Sequence, residues 1–261
     1  MNVVNGVVSD YISVNDRGMQ FAHGLFETML IKNQQAQDLD LHLQRMKLGC
    51  DRLQIEFPSN WQDEILQFCT QDGVLKLILT SGDSKKGLKK PDNIKPNRII
   101  KINKLPQDIE YKQKYGIKVK ICQTRLSCNP QTFGLKCLNW LEPTLANMEL
   151  GEQYLEGLML NMKGEIIEGT TSNFFAFKND TLFTPDLKEC GLQGITRDKV
   201  LAIATEMGLN VSISTIKDYH DFTSCFITNS VIGLVPIKSI NNTNFTINKK
   251  QREIQAILLN F

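Results

Sequence analysis

Lys136 stands out because its surroundings in the sequence would make its amine reactive. It lies in the run Gly134-Leu135-Lys136-Cys137-Leu138-Asn139-Trp140. Apolar residues at helical spacing after it predict a helix that begins near Asn139, with an apolar stripe formed by Leu138, Leu141, Leu145 and Met148. The dipole and the unpaired N–H groups of a helix start disfavour a cation, as do apolar neighbours. Both effects favour the neutral amine, which is the form that attacks a carbonyl group. The alternative is that Lys136 is a solvated surface charge, as most lysines are.

Two further segments could bind an anion. Arg45 lies on a helix predicted over Leu39–Leu53, and its guanidinium could hold a phosphate through two parallel hydrogen bonds or form a surface ion pair instead. Gly194-Ile195-Thr196 precedes a helix predicted from about Arg197 to Met207, so the N–H groups of Ile195 and Thr196 could point at a phosphate. Thr196 could also be an ordinary N-cap, and both interpretations can hold together.

The remaining polar candidates lie on or beside predicted strands. Glu168 ends the apolar strand Ile166–Glu168, where it could face a ligand or be an exposed carboxylate. Glu27 and Thr28 belong to a strand predicted over Phe21–Ile31, and they could simply be members of an alternating strand face. Cys137 could be called a nucleophile, but the nearby sequence offers no base for it.

These residues occur in an order that resembles the class IV family of pyridoxal 5'-phosphate (PLP) enzymes, the D-amino acid and branched-chain aminotransferase type. The resemblance runs from Asn5-Gly6 to about Pro236. Any one of its motifs is weak by itself, whereas five of them in the family's order are specific. The five motifs are Asp16-Arg17-Gly18 together with Phe26-Glu27-Thr28, then Arg45, Lys136-Cys137-Leu138-Asn139, Glu168-Gly169-Thr170-Thr171-Ser172-Asn173, and Gly191-Leu192-Gln193-Gly194-Ile195-Thr196-Arg197.

The resemblance implies PLP as the cofactor and gives each candidate a role. Lys136 would bind the cofactor's aldehyde, and Glu168 would pair with its ring nitrogen. The phosphate would be held by Arg45, by the N–H groups of Ile195 and Thr196, and by Ser230. Thr228 is a competing hydroxyl for the role of Ser230.

Within the family, the sequence is most similar to the lyases that convert 4-amino-4-deoxychorismate to 4-aminobenzoate and pyruvate, a step of folate biosynthesis. That likeness implies substrate contacts from Glu27, Thr28, Lys86 and Arg98. One departure is the segment 81–88, which carries lysines where such lyases tend to carry arginines and an aromatic residue. The alternatives are an aminotransferase acting on D-alanine or branched-chain amino acids, and a non-catalytic protein that binds PLP or another phosphorylated ligand.

The strand and helix patterns predict an α+β protein, and the resemblance implies the fold of type IV PLP enzymes. In that fold the cofactor lies in a cleft between two α/β domains. We expect a smaller domain at residues 1–107, a linker at 108–116, and a larger domain at 117–261 that carries the cofactor lysine. The family likeness also implies a homodimer.

Composition excludes several other classes of protein. The net charge is only +2, without a basic stripe, which argues against nucleic acid as a partner. No apolar run approaches the ~18 residues of a membrane span, and no basic leader is followed by an apolar run. Seven cysteines without CxxC spacing indicate free thiols, and three scattered histidines indicate no metal site. We therefore expect a cytoplasmic enzyme with a small-molecule substrate and no membrane contact.

Overall fold

The computed structural model of the protein describes residues 1–259 and divides the chain into two compact units. Unit 1 comprises Met1–Pro106 and Leu135–Asn139, and unit 2 comprises Gln107–Gly134 and the chain from Trp140 onward. The sequence assigned the lysine segment to the C-terminal domain, whereas Lys136 is part of unit 1. The predicted C-terminal domain also included residues 260 and 261, which lie outside the described residues.

Unit 1 is built on one antiparallel sheet of six strands in the order β2-β1-β6-β5-β3-β4. Its buried apolar side chains form a single cluster, to which helices α2 and α3 and the strands contribute. The elements are β1 (Asn2–Val4), β2 (Val7–Val8), α1 (Arg17–Phe21), β3 (Gly24–Lys32), β4 (Gln35–Ala36), α2 (Leu39–Leu53), α3 (Trp61–Phe68), β5 (Gly73–Thr80) and β6 (Asn97–Asn103).

The helix predicted over Leu39–Leu53 is confirmed as α2, and the strand predicted over Phe21–Ile31 differs at its start. The Asn5-Gly6 turn has positive φ at both residues, as a two-residue hairpin requires. The predicted strand from Phe21 instead begins at Gly24, because Asp16 caps the short helix α1 through the backbone N–H of Met19.

The segment that carries Lys136 is extended and hydrogen-bonded to the start of β3. The N–H of Phe26 donates to the carbonyl of Lys136 at 2.9 Å, and the N–H of Leu138 donates to the carbonyl of Gly24 at 3.0 Å. Cys137 lies directly opposite Leu25 as an isolated antiparallel bridge. These backbone contacts explain why a segment so far along the chain belongs to unit 1.

Unit 2 is built on a sheet of nine strands in which a ring of pairings closes. Strands β10, β13, β14, β7, β8 and β9 pair in that order, and β9 pairs again with β10 at Glu168 and Asn173. The elements are α4 (Ile109–Tyr115), β7 (Ile117–Leu126), α5 (Leu141–Met148), β8 (Glu156–Asn161), β9 (Ile166–Gly169), β10 (Asn173–Lys178), β11 (Thr181–Pro185), α6 (Ile195–Glu206), β12 (Asn210–Ser214), β13 (Ser224–Asn229), β14 (Gly233–Ile240), β15 (Thr243–Asn244) and α7 (Lys249–Leu259).

The predicted linker at 108–116 is occupied by α4, which is held within unit 2. The guanidinium of Arg252 donates to the carbonyl of Gln113 at 2.7 Å, and the side chain of Gln255 donates to the same carbonyl at 3.1 Å. These hydrogen bonds fasten α4 to α7. The boundary between the units therefore falls at Pro106 and Gln107.

Helix α5 differs from its prediction in both its start and its buried face. It begins at Leu141 rather than near Asn139, so Lys136 does not directly precede it. The predicted apolar stripe includes Leu145 and Met148, which are exposed, while the buried residues are Pro143 and Ala146. Small side chains let the helix approach β7 and β8 closely, so they take the inner face.

Two expectations from composition can be compared with the structure. No helix within residues 1–259 is long and apolar enough to cross a membrane. All seven cysteines lie within the described residues and are free thiols.

Gly24 should tolerate no larger residue, because β5 and the lysine segment leave no room for a side chain. A Cβ there would lie 2.5 Å from the Leu79 carbonyl oxygen and 2.7 Å from Leu138 Cδ1. We expect Gly24→Ala to lower the free energy of unfolding by about 1–3 kcal/mol, measured by urea denaturation. Gly151→Ala is the matched control, since a Cβ at that position would extend into open space. Equal stability of the two variants would show that this packing does not matter.

Candidate functional site

Lys136 is held by its backbone and faces an aromatic ring in unit 1. Its side chain is half-buried, and its ammonium lies 4.5 Å from the centroid of the Phe26 ring. The face of an aromatic ring attracts a cation, so this contact favours one direction for the lysine side chain. The backbone bonds on either side of Lys136 fix the point from which that side chain extends.

Arg45 and Glu27, two predicted site residues, form an ion pair in unit 1 in which Glu27 is buried and Arg45 is partly exposed. Arg45 Nε donates to Glu27 Oε1 at 2.8 Å, and Arg45 Nη2 donates to Glu27 Oε2. His42 Nδ1 lies 2.6 Å from the same Oε2 and completes the cluster. The Glu27 carboxylate thus fixes the orientation of the Arg45 guanidinium. The Arg45 side chain still keeps 18% of its area exposed.

The ionised form of Glu27 is favoured in spite of its burial. Burial by itself would raise the pKa of Glu27, but the hydrogen bonds from His42 and Arg45, and the charge of Arg45, hold that pKa below its usual value. Glu27 was predicted to meet the substrate together with Thr28. Adjacent strand residues face opposite sides, so Glu27 points toward α2 and positions Arg45 instead.

Sequence reasoning missed His42, although a signal for it was present. His42 and Arg45 are three residues apart on α2, which puts them on one helix face. His42 is fully buried, and its Nε2 has no hydrogen-bond partner among residues 1–259. A buried histidine is consistent with a role in holding Glu27 rather than with contact to solvent.

Arg98 and Lys86, the other predicted substrate contacts, lie elsewhere in unit 1. Arg98 Nε donates to Glu64 Oε2 at 2.7 Å, and Arg98 pairs across the sheet with the core residue Leu79. Arg98 therefore lies on the α3 side of the sheet, opposite the face that carries Phe26. Lys86 is exposed on the loop between β5 and β6.

That loop is anchored by Arg17, a residue of the Asp16-Arg17-Gly18 motif to which the sequence assigned no role. The buried Arg17 donates from Nη1 to the Gly87 carbonyl at 2.6 Å and from Nη2 to the Leu88 carbonyl at 3.0 Å. Its Nε donates to His23 Nδ1 at 3.2 Å. The segment that displays Lys86 is therefore fixed at its tip rather than only at its two ends.

In unit 2, Glu168 is buried at the point where the ring of strands closes. Its Oε2 accepts the backbone N–H of Leu192 at 2.9 Å and lies 3.5 Å from the side-chain nitrogen of Asn173. Asn173 also donates to the Leu192 carbonyl at 2.7 Å. The predicted alternative, an exposed strand-end carboxylate, is therefore wrong, since Glu168 is only 6% exposed.

The helix start predicted to hold a phosphate lies beside the predicted hydroxyl. Gly194 is the N-cap of α6, so Thr196 is not, and Thr196 Oγ1 lies 3.4 Å from Ser230 Oγ. The other candidate hydroxyl, Thr228 Oγ1, is buried and has no hydrogen-bond partner in the described part of the chain. The structure therefore brings Ser230, rather than Thr228, together with the helix start.

Gly194 brings the start of α6 close to Asn173, which contacts Glu168. A Cβ at Gly194 would lie 2.1 Å from Asn173 Oδ1, so only glycine allows the helix start to approach the residue that contacts Glu168. Asn229, next to Ser230, donates to the Thr171 carbonyl at 3.1 Å. The carboxylate of Glu168 and the hydroxyl of Ser230 are thus held in position by neighbouring contacts of the same unit.

Glu156 is a second buried carboxylate of unit 2, and it was missed in the sequence analysis. Its Oε1 accepts the N–H of Thr170 at 3.0 Å, and its Oε2 accepts the hydroxyls of Thr171 at 2.8 Å and Ser172 at 3.0 Å. It therefore fixes the turn that follows Glu168. Its only sequence signal was a carboxylate at the start of a buried strand.

Comparisons with known proteins agree over nearly the whole chain. The family model described as amino-transferase class IV matches residues 24–240. An aminodeoxychorismate lyase from Vibrio harveyi is 29% identical, with 98% of each chain covered. The crystal structure of 4-amino-4-deoxychorismate lyase from Pseudomonas aeruginosa has a TM-score of 0.95 and 32% identity, covering 100% of this chain and 98% of that one. A putative branched-chain-amino-acid aminotransferase from Methanocaldococcus jannaschii is 28% identical over 92% of this chain and 85% of that protein. The predicted family resemblance and fold class are confirmed.

Glu27→Gln should destabilise the protein in a pH-dependent way. Removing the buried partner of an ion pair leaves the other charge uncompensated, so we expect a loss of about 3 kcal/mol in unfolding free energy at pH 7, the lower end of the range for buried pairs because Arg45 is partly exposed. The pKa of Glu27 is lowered by folding, so its contribution is fully present above its unfolded-state pKa of about 4.3 and is lost as the pH falls through the lower folded pKa. The difference between wild type and variant should therefore shrink as the pH falls below about 4.3.

Urea denaturation at a series of pH values measures this difference. Glu189→Gln is the control, because Glu189 forms an exposed ion pair with Lys163 and should leave the unfolding midpoint nearly unchanged. A destabilisation by Glu27→Gln that stays constant down to pH 2 would contradict the assigned ionisation.

Proposed function

Because the chain belongs to the class IV aminotransferase family, we propose that it is a PLP-dependent lyase that converts 4-amino-4-deoxychorismate to 4-aminobenzoate and pyruvate. The observation that carries the proposal is the likeness, over the full length of both chains, to the lyase from Pseudomonas aeruginosa. The likeness to the lyase from Vibrio harveyi has the same extent. Folate biosynthesis is the pathway that such an activity serves.

The residues present fit PLP as the cofactor. Unit 1 offers a half-buried lysine, Lys136, and a guanidinium, Arg45, whose direction Glu27 fixes. Unit 2 offers the buried carboxylate of Glu168 and a helix start beside paired hydroxyls. In this proposal Lys136 holds the aldehyde, Glu168 holds the ring nitrogen, and Arg45, the N–H groups of Ile195 and Thr196, and Ser230 hold the phosphate. Bound PLP would supply an aldehyde that exchanges amines and a ring that accepts electrons.

Lys136 is the proposed general base of the reaction. Its Nζ would accept the proton from the substrate ring carbon that bears the amino group. The departure of pyruvate from the same ring then leaves an aromatic product, so the driving force comes from the substrate. The Phe26 ring beside Nζ keeps water from one side of the amine. It also limits the directions from which the amine can approach the substrate.

Glu168 would act as a fixed negative charge. Its carboxylate is buried and accepts the Leu192 N–H, so its position is set before any ligand arrives. A carboxylate in such surroundings keeps a proton on a nearby pyridine nitrogen by charge pairing. Asn173 lies beside it and restricts its rotation.

An aminotransferase acting on branched-chain amino acids or D-alanine is the second candidate. It is favoured by the likeness to the protein from Methanocaldococcus jannaschii, and the segment 81–88 lacks the arginines and the aromatic residue that the lyases tend to carry. Both candidates need the same cofactor, so the substrate alone separates them. Release of 4-aminobenzoate without a keto acid acceptor would select the lyase, and transfer of an amino group to 2-oxoglutarate would select the aminotransferase.

Lys136→Met tests the cofactor and the base together. We expect the variant to release no detectable 4-aminobenzoate, because it lacks both the amine that holds the aldehyde and the proton acceptor. Borohydride reduction of wild-type protein followed by peptide mass mapping should place the cofactor on the peptide that contains Lys136. Lys188→Met removes an exposed lysine and should match wild type in both assays. Full activity of Lys136→Met, or a label on another lysine, would refute the assignment.

We also propose that the protein is a cytoplasmic homodimer, as its family likeness implies. Exposed apolar side chains in both units support association, among them Val8 and Tyr11 of unit 1 and Met148 of unit 2. Analytical ultracentrifugation at micromolar concentration should give twice the chain mass of 29.6 kDa. A monomer under those conditions would contradict the proposal.

A further inference from the structure

Lys76 lies at the centre of a sheet face that is cationic and only half-covered. Lys76 on β5 pairs directly with Thr28 on β3 and with Lys101 on β6, and directly paired residues share one face of a sheet. Its chain neighbours Leu75 and Leu77 belong to the buried core on the other face. We call the face that carries Phe26, Thr28, Lys76 and Lys101 the Phe26 face.

The ammonium of Lys76 meets the same aromatic ring as the ammonium of Lys136. Lys76 Nζ lies 4.9 Å from the centroid of Phe26, and Lys136 Nζ lies 4.5 Å from it. A single ring therefore holds both the candidate catalytic amine and a second cation. A ligand held at Lys136 that extends past the Phe26 ring would therefore reach Lys76.

The charge of Lys76 is left without a carboxylate. Within residues 1–259, Lys76 makes no ion pair, and the charged neighbours on the Phe26 face are the cations Lys101 and Lys136. The pKa of Lys76 is lowered, first by burial and then by the charge of Lys101. A half-buried cation beside other cations is unfavourable unless an anion joins it. The favourable contact that the described residues supply to this ammonium is the Phe26 ring.

We propose that Lys76 binds a carboxylate of the substrate and thereby selects a dicarboxylate. The inference rests on the proposed function, because 4-amino-4-deoxychorismate carries one carboxylate on its ring and one on its enolpyruvyl group. With Thr28 beside it as a hydroxyl donor, Lys76 offers a charge-assisted hydrogen bond to one of them. Such a group also compensates for the arginines that the segment 81–88 lacks.

The test uses the cofactor-loaded enzyme with three substitutions. Lys76→Met removes the charge and keeps most of the length of the side chain over Phe26, whereas Lys76→Arg keeps the charge. Lys101→Met is the matched control, because it removes an exposed cation from the same face and the neighbouring strand. Two quantities are measured for each protein. One is the Kd for chorismate, which has both carboxylates and no amine, by calorimetry, and the other is the KM and kcat for 4-aminobenzoate release.

We expect Lys76→Met to raise both the Kd for chorismate and the KM by roughly 10- to 100-fold, the range for loss of a hydrogen bond to a charged group. The kcat, the visible absorption of the cofactor and the melting temperature should change little. Lys76→Arg should lose clearly less affinity than Lys76→Met, and Lys101→Met should match wild type.

Several outcomes would overturn the inference. If wild type releases 4-aminobenzoate but Lys76→Met binds chorismate as wild type does, the inference fails while the proposed function stands. An equal loss of affinity in Lys101→Met would show that binding depends only on the net positive charge of the Phe26 face. That result would also refute the inference. If wild type neither releases 4-aminobenzoate nor binds chorismate, the proposed function fails and the inference fails with it.

Discussion

The arrangement of the candidate site depends on two backbone hydrogen bonds that join residues more than a hundred positions apart. The bonds from the Phe26 N–H to the Lys136 carbonyl and from the Leu138 N–H to the Gly24 carbonyl extend the unit 1 sheet by one short segment. They require Gly24, since any side chain there would meet β5. Because the backbone is fixed at both neighbours, the lysine has few directions open to it, and Phe26 favours one of them.

Unit 2 achieves a similar rigidity with side chains instead. Glu168 and Asn173 sit opposite each other where the ring of strands closes, and both bind the backbone of Leu192. Two residues further on, Gly194, the N-cap of α6, lies against Asn173. A carboxylate and a helix start are thereby held by one continuous set of contacts. Such preorganisation lets the groups act without reorganising when a ligand binds.

Glu27 and Glu156 are buried carboxylates whose charge the protein itself satisfies, whereas the half-buried Lys76 is not paired in this way within the described part of the chain. Glu27 is neutralised by Arg45 and His42, and Glu156 is surrounded by the N–H and hydroxyl groups of the turn after Glu168. Each carboxylate therefore positions other residues rather than reacting. Lys76 differs, because its half-buried ammonium has an aromatic ring but no carboxylate among residues 1–259. Glu27 and Glu156 therefore support the structure, whereas Lys76 is suited to binding a ligand.

Local patterns in the sequence determined several elements, since helical periodicity and strand alternation depend on near neighbours: the bounds of α2 and most of β3 followed from them. The family order of motifs also indicated Lys136, Arg45 and Glu168. The tertiary structure alone decided which unit carries Lys136, which face of α5 is buried, and that Glu27 positions Arg45. It also revealed His42, Glu156 and Lys76. Hydrogen bonds and burial between distant segments fix these features, and no short stretch of sequence records which distant segment will pack against it.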